Sequence, residues 1–264
     1  MAAIWPGADA PALDGLDGAA LRSAATGGDD HFARGAHRHP HGEFFLLRSG
    51  YMRSQSPTGR WLIPAGHLCW VPPFTDHAGD TANTDGVRLY LAPEFCQGFP
   101  DEPAVMRCTP LVGALVERLA AARLHPVISG ATGRLLAVLQ DELIEARGGL
   151  MMLPMPQDSR LRGAVETWMD RPDEQVGLDE IAAAAGMSRR SLTRKFRLDT
   201  GLPVGEWLQI AKLMHGIDLL AAGRSVTDTA FMLGYDSISS FVALCQRHTG
   251  MSPKVLARTL TAGK

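Results

Sequence analysis

The sequence predicts a multidomain α+β protein, in which an N-terminal β-barrel and a helical connector precede an all-α domain with two helix-turn-helix motifs. In residues 37–92, short β-prone runs alternate with glycine and proline turns, a pattern typical of a small antiparallel barrel or sandwich. From Pro110 onward, apolar residues recur with helical spacing. The chain has 264 residues, of which 45% are hydrophobic, and this is enough for two cores.

The same patterns divide the chain into five segments. Residues 1–30 are rich in Ala, Gly and Asp and predict a flexible arm. Residues 31–105 predict the barrel, with candidate strands at 43–48, 51–55, 60–63, 68–71 and 87–92. Residues 106–148 carry two apolar helical stripes, which either cap the barrel or form a homodimer contact. Residues 149–158 contain Pro154 and Pro156 and predict a linker to the all-α domain, residues 159–264.

Charge is distributed unevenly along the chain. The net charge is -2, but residues from Asp158 onward carry 14 Lys and Arg against 12 Asp and Glu. Because this excess is small, the position of the cations matters more than their number. The sequence lacks the order of a signal peptide and any apolar run that could span a bilayer, and its four cysteines form no C-x-x-C pair. We therefore expect a cytoplasmic protein with reduced thiols and no membrane partner.

The first helix-turn-helix motif occupies residues 178–197. Gly186 can adopt the left-handed turn conformation, and Ser188 is placed to cap the following helix. On that helix Leu192 and Phe196 are four residues apart and should face the core. The outward face then presents residues that suit guanine edges or phosphates, namely Arg189, Arg190, Thr193, Arg194 and Arg197. The alternative is a solvated cationic face that binds nothing.

The second motif has a different chemistry. Ser225 and Asp228 suit a capping box for its first helix, and Phe241 follows Gly234 by nearly the interval at which Leu192 follows Gly186. Its groove-facing residues suit thymine methyl groups and one phosphate, and they are Ile238, Ser239, Val242, Ala243 and Arg247. Residues 204–222 predict a connecting helix about 28 Å long. This length is close to the roughly 34 Å of one turn of B-DNA, so the two motifs would read successive major grooves.

Both motifs, followed by the sequence GMSP at 250–253, resemble the AraC/XylS family of bacterial transcriptional regulators over about the last hundred residues. The linker sequence LPMPQD and Ala243 resemble the NimR-type branch of that family. Many members have arginine at the place of Ala243 and phenylalanine at the places of Cys245 and Thr249. The resemblance implies a sequence-specific transcription factor, not an enzyme. Its partners would be double-stranded promoter DNA and, for an activator, RNA polymerase.

A histidine-rich segment precedes the first long strand. Side chains alternate in an extended chain, so four of them would share one face, namely His37, His39, His41 and Glu43. Further residues follow at the next turns, and they are Gly66, Pro72, Phe74 and His77. Together these residues resemble the two cupin motifs, with Phe74 where the second motif has glycine. The resemblance implies a cupin-type sensor barrel that binds one divalent metal, Zn, Ni, Fe, Mn or Cu, through His37, His39, Glu43 and His77.

The expected sensor responds to a metal ion or to a small-molecule effector and thereby modulates promoter binding. Histidines can also surround an organic effector without a functional metal, so this alternative stays open. Five further side chains are candidates for an effector pocket, although aromatic residues in a small barrel are more often core: His41, Tyr51, Trp61, Trp70 and Tyr90. The alternative function is a metal-dependent cupin oxygenase or isomerase fused to a DNA-binding domain.

Overall fold

The computed structural model describes residues 21–28, 32–121, 124–125, 128, 130–145, 152–169 and 177–261. The chain forms two compact units. The N-terminal unit contains Met1–Ser56, Trp61–Leu150 and Thr259–Lys264, and the C-terminal unit contains Pro57–Arg60 and Met151–Arg258. The division near residue 150 falls within the predicted linker.

The N-terminal unit is built on a curled antiparallel sheet. Its strands are β1 (Leu21–Gly28), β2 (Phe32–His37), β3 (Gly42–Gln55), β4 (Gly59–Pro64), β5 (His67–Val71), β6 (His77–Leu91), β7 (Ala104–Arg107) and β8 (Leu124–His125). The strand order is β7-β5-β3-β6-β1-β8, with β2 paired to β6 and β4 paired to β3. The two strands predicted at 43–48 and 51–55 are one strand, β3. Its register against β6 shifts at Ser49, next to Gly50, whose φ is 74°.

The prediction of an irregular arm over residues 1–30 is wrong for Leu21–Gly28, which form β1. This strand pairs with β6 along its whole length, from Leu21 opposite Leu91 to Gly28 opposite Thr84. Its sequence, LRSAATGG, is dominated by small residues that give a weak strand signal. Pairing with the longer β6 satisfies its backbone hydrogen bonds, so tertiary context decides the structure. Residues 1–20 of the predicted arm lie outside the described residues.

Two helices cover one face of the sheet, α1 (Pro110–Ala120) and α2 (Gly130–Glu145). Thr109 caps α1, since its hydroxyl accepts a hydrogen bond from the backbone N–H of Val112. The core between helices and strands includes Phe44, Leu46, Leu68, Trp70, Val87, Leu89, Leu91, Val116, Leu119 and Leu139. On α1, Val112 is buried together with Leu115, Val116 and Leu119, whereas Leu111 is 48% exposed.

The side chains between these core residues point to the other face of the sheet. They are Glu43 and Phe45 of β3, Cys69 and Val71 of β5, and Arg88 of β6, and they line a common pocket. Successive side chains of a strand point to opposite faces, so the sheet separates this pocket from the core under α1 and α2.

The C-terminal unit is mostly helical in the described residues. The short strand β9 (Met152–Pro154) precedes α3 (Ser159–Met169), α4 (Leu178–Ala184), α5 (Arg189–Thr200), α6 (Val204–Ala221), α7 (Val226–Met232), α8 (Ile238–Thr249) and α9 (Pro253–Thr261). Trp207 of α6 lies against Trp168 of α3 and Phe196 of α5, with ring centroids 6.2 and 5.4 Å away. Among the described helices, none has the length and apolar character needed to cross a membrane.

The predicted linker, residues 149–158, is packed where it enters the C-terminal unit. The indole Nε1 of Trp207 donates a hydrogen bond to the carbonyl of Pro154 at 2.6 Å. The carboxylate of Asp199 accepts hydrogen bonds from the backbone N–H groups of residues 157 and 158, at 3.1 and 3.0 Å. These contacts satisfy polar backbone groups of an extended segment. Together with the restricted backbone of its prolines, they hold the segment before α3 in one position, so it is not a flexible tether.

Candidate nucleic-acid interface and metal centre

Helix α5 is fixed at its N-terminal end and along its buried face. Gly186 in the preceding turn has a φ of 66°, and the Ser188 hydroxyl accepts a hydrogen bond from the backbone N–H of Ser191. Leu192 and Phe196 are fully buried. Because both anchors lie on one side of the helix, the opposite side presents a defined outward face.

The cations of α5 fall into two groups. Arg189 Nη1 lies 3.3 Å from Asp179, and Lys195 Nζ lies 3.5 Å from Asp158. The other three are exposed and have no acidic partner among the described residues, and they are Arg190, Arg194 and Arg197. At about 100° per residue, Arg194 lies about 160° around the helix from both Leu192 and Phe196. The structure therefore places three of the predicted contact residues at the centre of the outward face.

The other two predicted residues of α5 lie nearer its flank. The Thr193 hydroxyl donates a hydrogen bond to the carbonyl of Arg189 at 2.9 Å, so its polar group is used within the helix. The ion pair between Arg189 and Asp179 is exposed, and such pairs are weak in water. Both residues remain accessible, but each would give up an internal contact to bind another molecule.

Helix α8 repeats this construction with different surface chemistry. Its cap is Ser237, whose hydroxyl accepts a hydrogen bond from the backbone N–H of Ser240, and Phe241 is fully buried. Among the predicted groove-facing residues, Val242 is half-buried and the others are exposed, namely Ile238, Ser239, Ala243 and Arg247. This face therefore carries one cation, whereas the face of α5 carries three cations that have no acidic partner in the described part of the chain.

In the N-terminal unit, strand pairing brings three histidines together. His37 at the end of β2 is paired with His77 at the start of β6, and their ring centroids are 4.2 Å apart. His39 adds its ring at 5.0 Å from that of His77. One nitrogen from each of the three rings lies within 4.8 Å of the other two. The cluster thus joins residues about forty positions apart in the sequence.

Backbone carbonyls fix the orientation of all three rings. Nδ1 of His37, His39 and His77 donates to the carbonyls of Gly35, His41 and Thr75 at 2.9, 2.9 and 2.8 Å, respectively. A carbonyl can only accept a hydrogen bond, so each Nδ1 carries a hydrogen, and in a neutral ring Nε2 is then an acceptor. Such hydrogen bonds to the distal nitrogen are typical of histidines that bind metals.

Glu43 completes the cluster. Its Oε2 lies 3.3 Å from Nε2 of His39 and 3.3 Å from Nε2 of His77. This nitrogen of His77 is buried and has no hydrogen-bond partner among the residues that the structure describes. A carboxylate facing two acceptor nitrogens is unfavourable unless the rings are protonated or a cation lies between these atoms. Burial raises the pKa of Glu43, but His39, His77 and Arg88 outweigh this effect and hold that pKa well below its usual range.

The donor set fits a divalent transition metal. Zinc bonds of about 2.0–2.1 Å to nitrogen and oxygen place neighbouring donors of a tetrahedral site roughly 3.3 Å apart, which is the spacing between Glu43 and two of the histidines. The three predicted histidine ligands thus lie together, and Glu43 lies beside two of them, but not because of strand alternation. Residues 38–41 form a loop, and His41 is buried outside the cluster.

A small cavity adjoins the cluster. Its walls are His37, Glu43, Phe45, Met52, Ser54, Cys69, Val71, His77, Gly79 and Arg88, and its volume is about 20 Å³. The predicted pocket residues His41, Tyr51, Trp61, Trp70 and Tyr90 are not among them. Trp70 lies under the helices instead, where its indole donates to the carbonyl of Pro100 at 2.8 Å. Tyr90 contacts the cluster from the side, with its ring 5.6 Å from that of His39.

Helix α5, which follows α4 after the turn at Gly186, has the arrangement of a helix-turn-helix motif, and α7 and α8 repeat this arrangement around Gly234. A family model described as a helix-turn-helix domain matches residues 181–259, which include both α5 and α8. Residues 181–259 therefore form a helix-turn-helix domain.

Several named proteins are similar to this chain. NimR of Escherichia coli, a helix-turn-helix transcriptional regulator, is 28% identical over 245 residues, which cover 92% of this chain and 89% of NimR. RipA of Corynebacterium glutamicum, also named a transcriptional regulator, is 31% identical over 111 residues, which cover 42% of this chain and 32% of RipA. Neither is named as an enzyme.

Solved structures of similar proteins include ToxT from Vibrio cholerae with a bound unsaturated fatty acid. It has 10% sequence identity and a TM-score of 0.39, and the alignment covers 92% of this chain and 95% of ToxT. The DNA-binding domain of AdpA, solved in complex with a target DNA, has 29% identity and a TM-score of 0.37, with coverage of 39% of this chain and 94% of that domain.

Proposed function

We propose that this regulator binds double-stranded promoter DNA in a sequence-specific manner, through α5 and α8. The observation that carries this proposal is the outward face of α5, where Arg190, Arg194 and Arg197 lie opposite the buried Leu192 and Phe196. Guanidinium groups on an exposed helix can contact guanine edges or phosphates in the major groove.

The two helices would contribute unequally. α5 offers three exposed cations, whereas α8 offers Arg247 and a largely apolar or small surface. Helix α6 connects the two helix-turn-helix motifs and has 18 residues, or about 27 Å at 1.5 Å per residue. This length suits two DNA-contacting helices in successive major grooves. We therefore assign most base recognition to α5, and fixing of register on the adjacent groove to α8.

Selection of binding sites from random duplex DNA by the full chain tests this proposal. We expect one enriched motif, bound at least about 1,000-fold more tightly than a scrambled duplex at physiological salt, with an affinity that falls as salt rises. Equal affinity for selected and scrambled duplexes would contradict sequence-specific binding.

We further propose that the N-terminal unit is a cupin-type sensor that binds one divalent metal through His37, His39, Glu43 and His77. The fixed Nδ1 hydrogens and the 3.3 Å contacts of Glu43 support this assignment. A bound divalent ion would supply the positive charge between the carboxylate and the ring nitrogens. Pockets for organic ligands usually measure about 300 Å³ or more. The 20 Å³ cavity beside the cluster therefore has no room for a bulky organic effector, and this favours a metal as the sensed ligand.

Metal analysis of full-length protein purified without an affinity tag tests the sensor. We expect about one equivalent of divalent metal per chain, and a rise in the thermal midpoint when Zn or Ni is added to stripped protein. Stripped protein whose midpoint does not respond to Zn, Ni, Fe, Mn or Cu would rule out the metal site.

We also propose a cytoplasmic homodimer, which contacts RNA polymerase if it activates transcription. Exposed apolar side chains on α1 and α2 support association of two copies, namely Leu111, Val138 and Ile144. In light-scattering measurements the protein should have twice the mass of the chain, and Val138→Glu should halve it. A monomeric wild-type protein at micromolar concentration would contradict this proposal.

A further inference from the structure

We infer that the N-terminal site also holds a small oxyanion, bound between the metal proposed above and the guanidinium of Arg88. This inference rests on the proposed metal site. The cavity is lined by His37 and His77 together with Arg88. Anything that fills it therefore contacts the histidine cluster and the arginine together.

The size of the cavity limits its occupant. A volume of about 20 Å³ corresponds to one or two water molecules, since one water needs roughly 10–15 Å³. A species of the size of formate matches this space, whereas an aromatic or sugar-sized molecule does not. The apolar walls, Met52 and Val71, offer no hydrogen bonds that would orient a larger polar ligand.

Charge selects an anion over a neutral molecule of the same size. Among the lining residues, the charges of Glu43 and Arg88 balance each other. A divalent ion bound to neutral histidines would leave a net charge of +2 in a buried site, where unbalanced charge is costly. A small anion offsets part of this charge and remains in contact with the metal.

Arg88 is held in a position suited to this role. Its Cζ lies 4.5 Å from the centroid of the Phe45 ring, directly opposite it on β3, and its side chain is 10% exposed. Its Nε lies 3.5 Å from Oε1 of Glu43, which is longer than an ordinary hydrogen bond. The planar guanidinium carries five N–H donors in a fork that matches the two oxygens of a carboxylate.

Full-length protein loaded with Co(II) tests this inference, because the visible absorption of cobalt reports changes in its coordination. Titration with formate should change the spectrum to saturation, whereas formamide, a neutral molecule of similar size, should not. Arg88→Gln, loaded at saturating cobalt, should bind formate at least about 10-fold more weakly. Arg53→Gln is the matched control, since Arg53 pairs with Asp80 at 3.0 Å and does not line the cavity.

The outcomes separate this inference from the proposed metal site. Failure to bind either cobalt or zinc overturns both. Cobalt binding with no response to formate, with an equal response to formamide, or with equal formate affinity in Arg88→Gln overturns the oxyanion site and leaves the metal site intact. If Arg88→Gln does not fold, the comparison of formate with formamide on wild-type protein decides the question.

Discussion

Replacing Arg194 by alanine should weaken binding to the selected DNA site without destabilising the protein. Arg194 is exposed, lies at the centre of the outward face of α5 and has no acidic partner among the described residues. A bidentate contact between arginine and guanine is worth about 1–3 kcal/mol, which corresponds to about a 5- to 150-fold increase in Kd. Alanine has high helix propensity, so the thermal midpoint should stay unchanged.

Fluorescence anisotropy on labelled duplexes measures this effect, and circular dichroism checks the fold. Arg189→Ala is the matched control, because it removes the same side chain from the same helix at a position already paired with Asp179. We expect it to raise Kd by less than about 5-fold. If Arg194 contacts a phosphate instead, its removal would weaken binding to selected and scrambled duplexes alike. It would also reduce the slope of log affinity against log salt concentration by about 1. Unchanged affinity for both Arg190→Ala and Arg194→Ala would refute the assignment of α5 as the principal reader.

Three further predictions address the metal site, the second reader and the helix cap. His77→Ala should lose the bound metal and the Zn-induced rise in thermal midpoint. His67 is buried outside the cluster, so His67→Ala should keep both. Full metal content in His77→Ala would exclude the proposed metal site. Ala243→Arg should change the motif obtained by binding-site selection, whereas Arg247→Ala should weaken binding to all sequences; identical motifs for wild type and Ala243→Arg would remove α8 as a base reader. Ser188→Ala removes the α5 cap and should lower the free energy of unfolding, measured by urea denaturation, by about 1 kcal/mol. Ser239→Ala removes a serine of α8 that is not its cap and should leave this free energy unchanged. Equal stability of the two variants contradicts a capping role for Ser188.

The helices of the C-terminal unit were predictable because their signals are local. Ser188 and Ser237 each cap a helix through the N–H three residues later, and Gly186 takes the positive φ that the turn requires. The ion pairs were not predictable in this way. Lys195 has a local partner, Asp199, at 3.8 Å, but its nearer partner, Asp158, lies 37 positions earlier in the sequence. Only the fold therefore shows which cations of α5 have no acidic partner among the described residues.

The sequence predicted that His37, His39 and His77 lie together, as they do in the structure, but the reason for this prediction was incomplete. Alternation along one extended segment cannot bring in His77, which reaches His37 through strand pairing. The same alternation wrongly grouped His41 with the cluster, because residues 38–41 bend instead of continuing a strand. Arg88 was missed, although a single cation within the apolar sequence VRLYL of β6 is a usable signal of an inward-facing polar residue.

The N-terminal strands show the limits of local patterns more generally. β1 is dominated by small residues and was assigned to an arm, yet it pairs with β6 throughout. Trp70 was expected at a pocket, but it packs against Phe44 and Phe99 in the helix-covered core. β1 forms because it pairs with β6, and the position of Trp70 depends on which face of β5 meets the helices. Both are decided by contacts distant in sequence.

A metal-sensing regulator needs its bound metal to alter DNA binding, so we propose that a metal bound in the N-terminal unit changes the DNA affinity of the C-terminal unit. Its most direct test is the Kd of metal-stripped, full-length protein for the selected duplex, measured with and without one equivalent of Zn. We expect a change of about 5- to 150-fold for the selected duplex in wild-type protein, and none in His77→Ala. The same Kd with and without bound Zn, in protein shown to contain one equivalent, would contradict the claim.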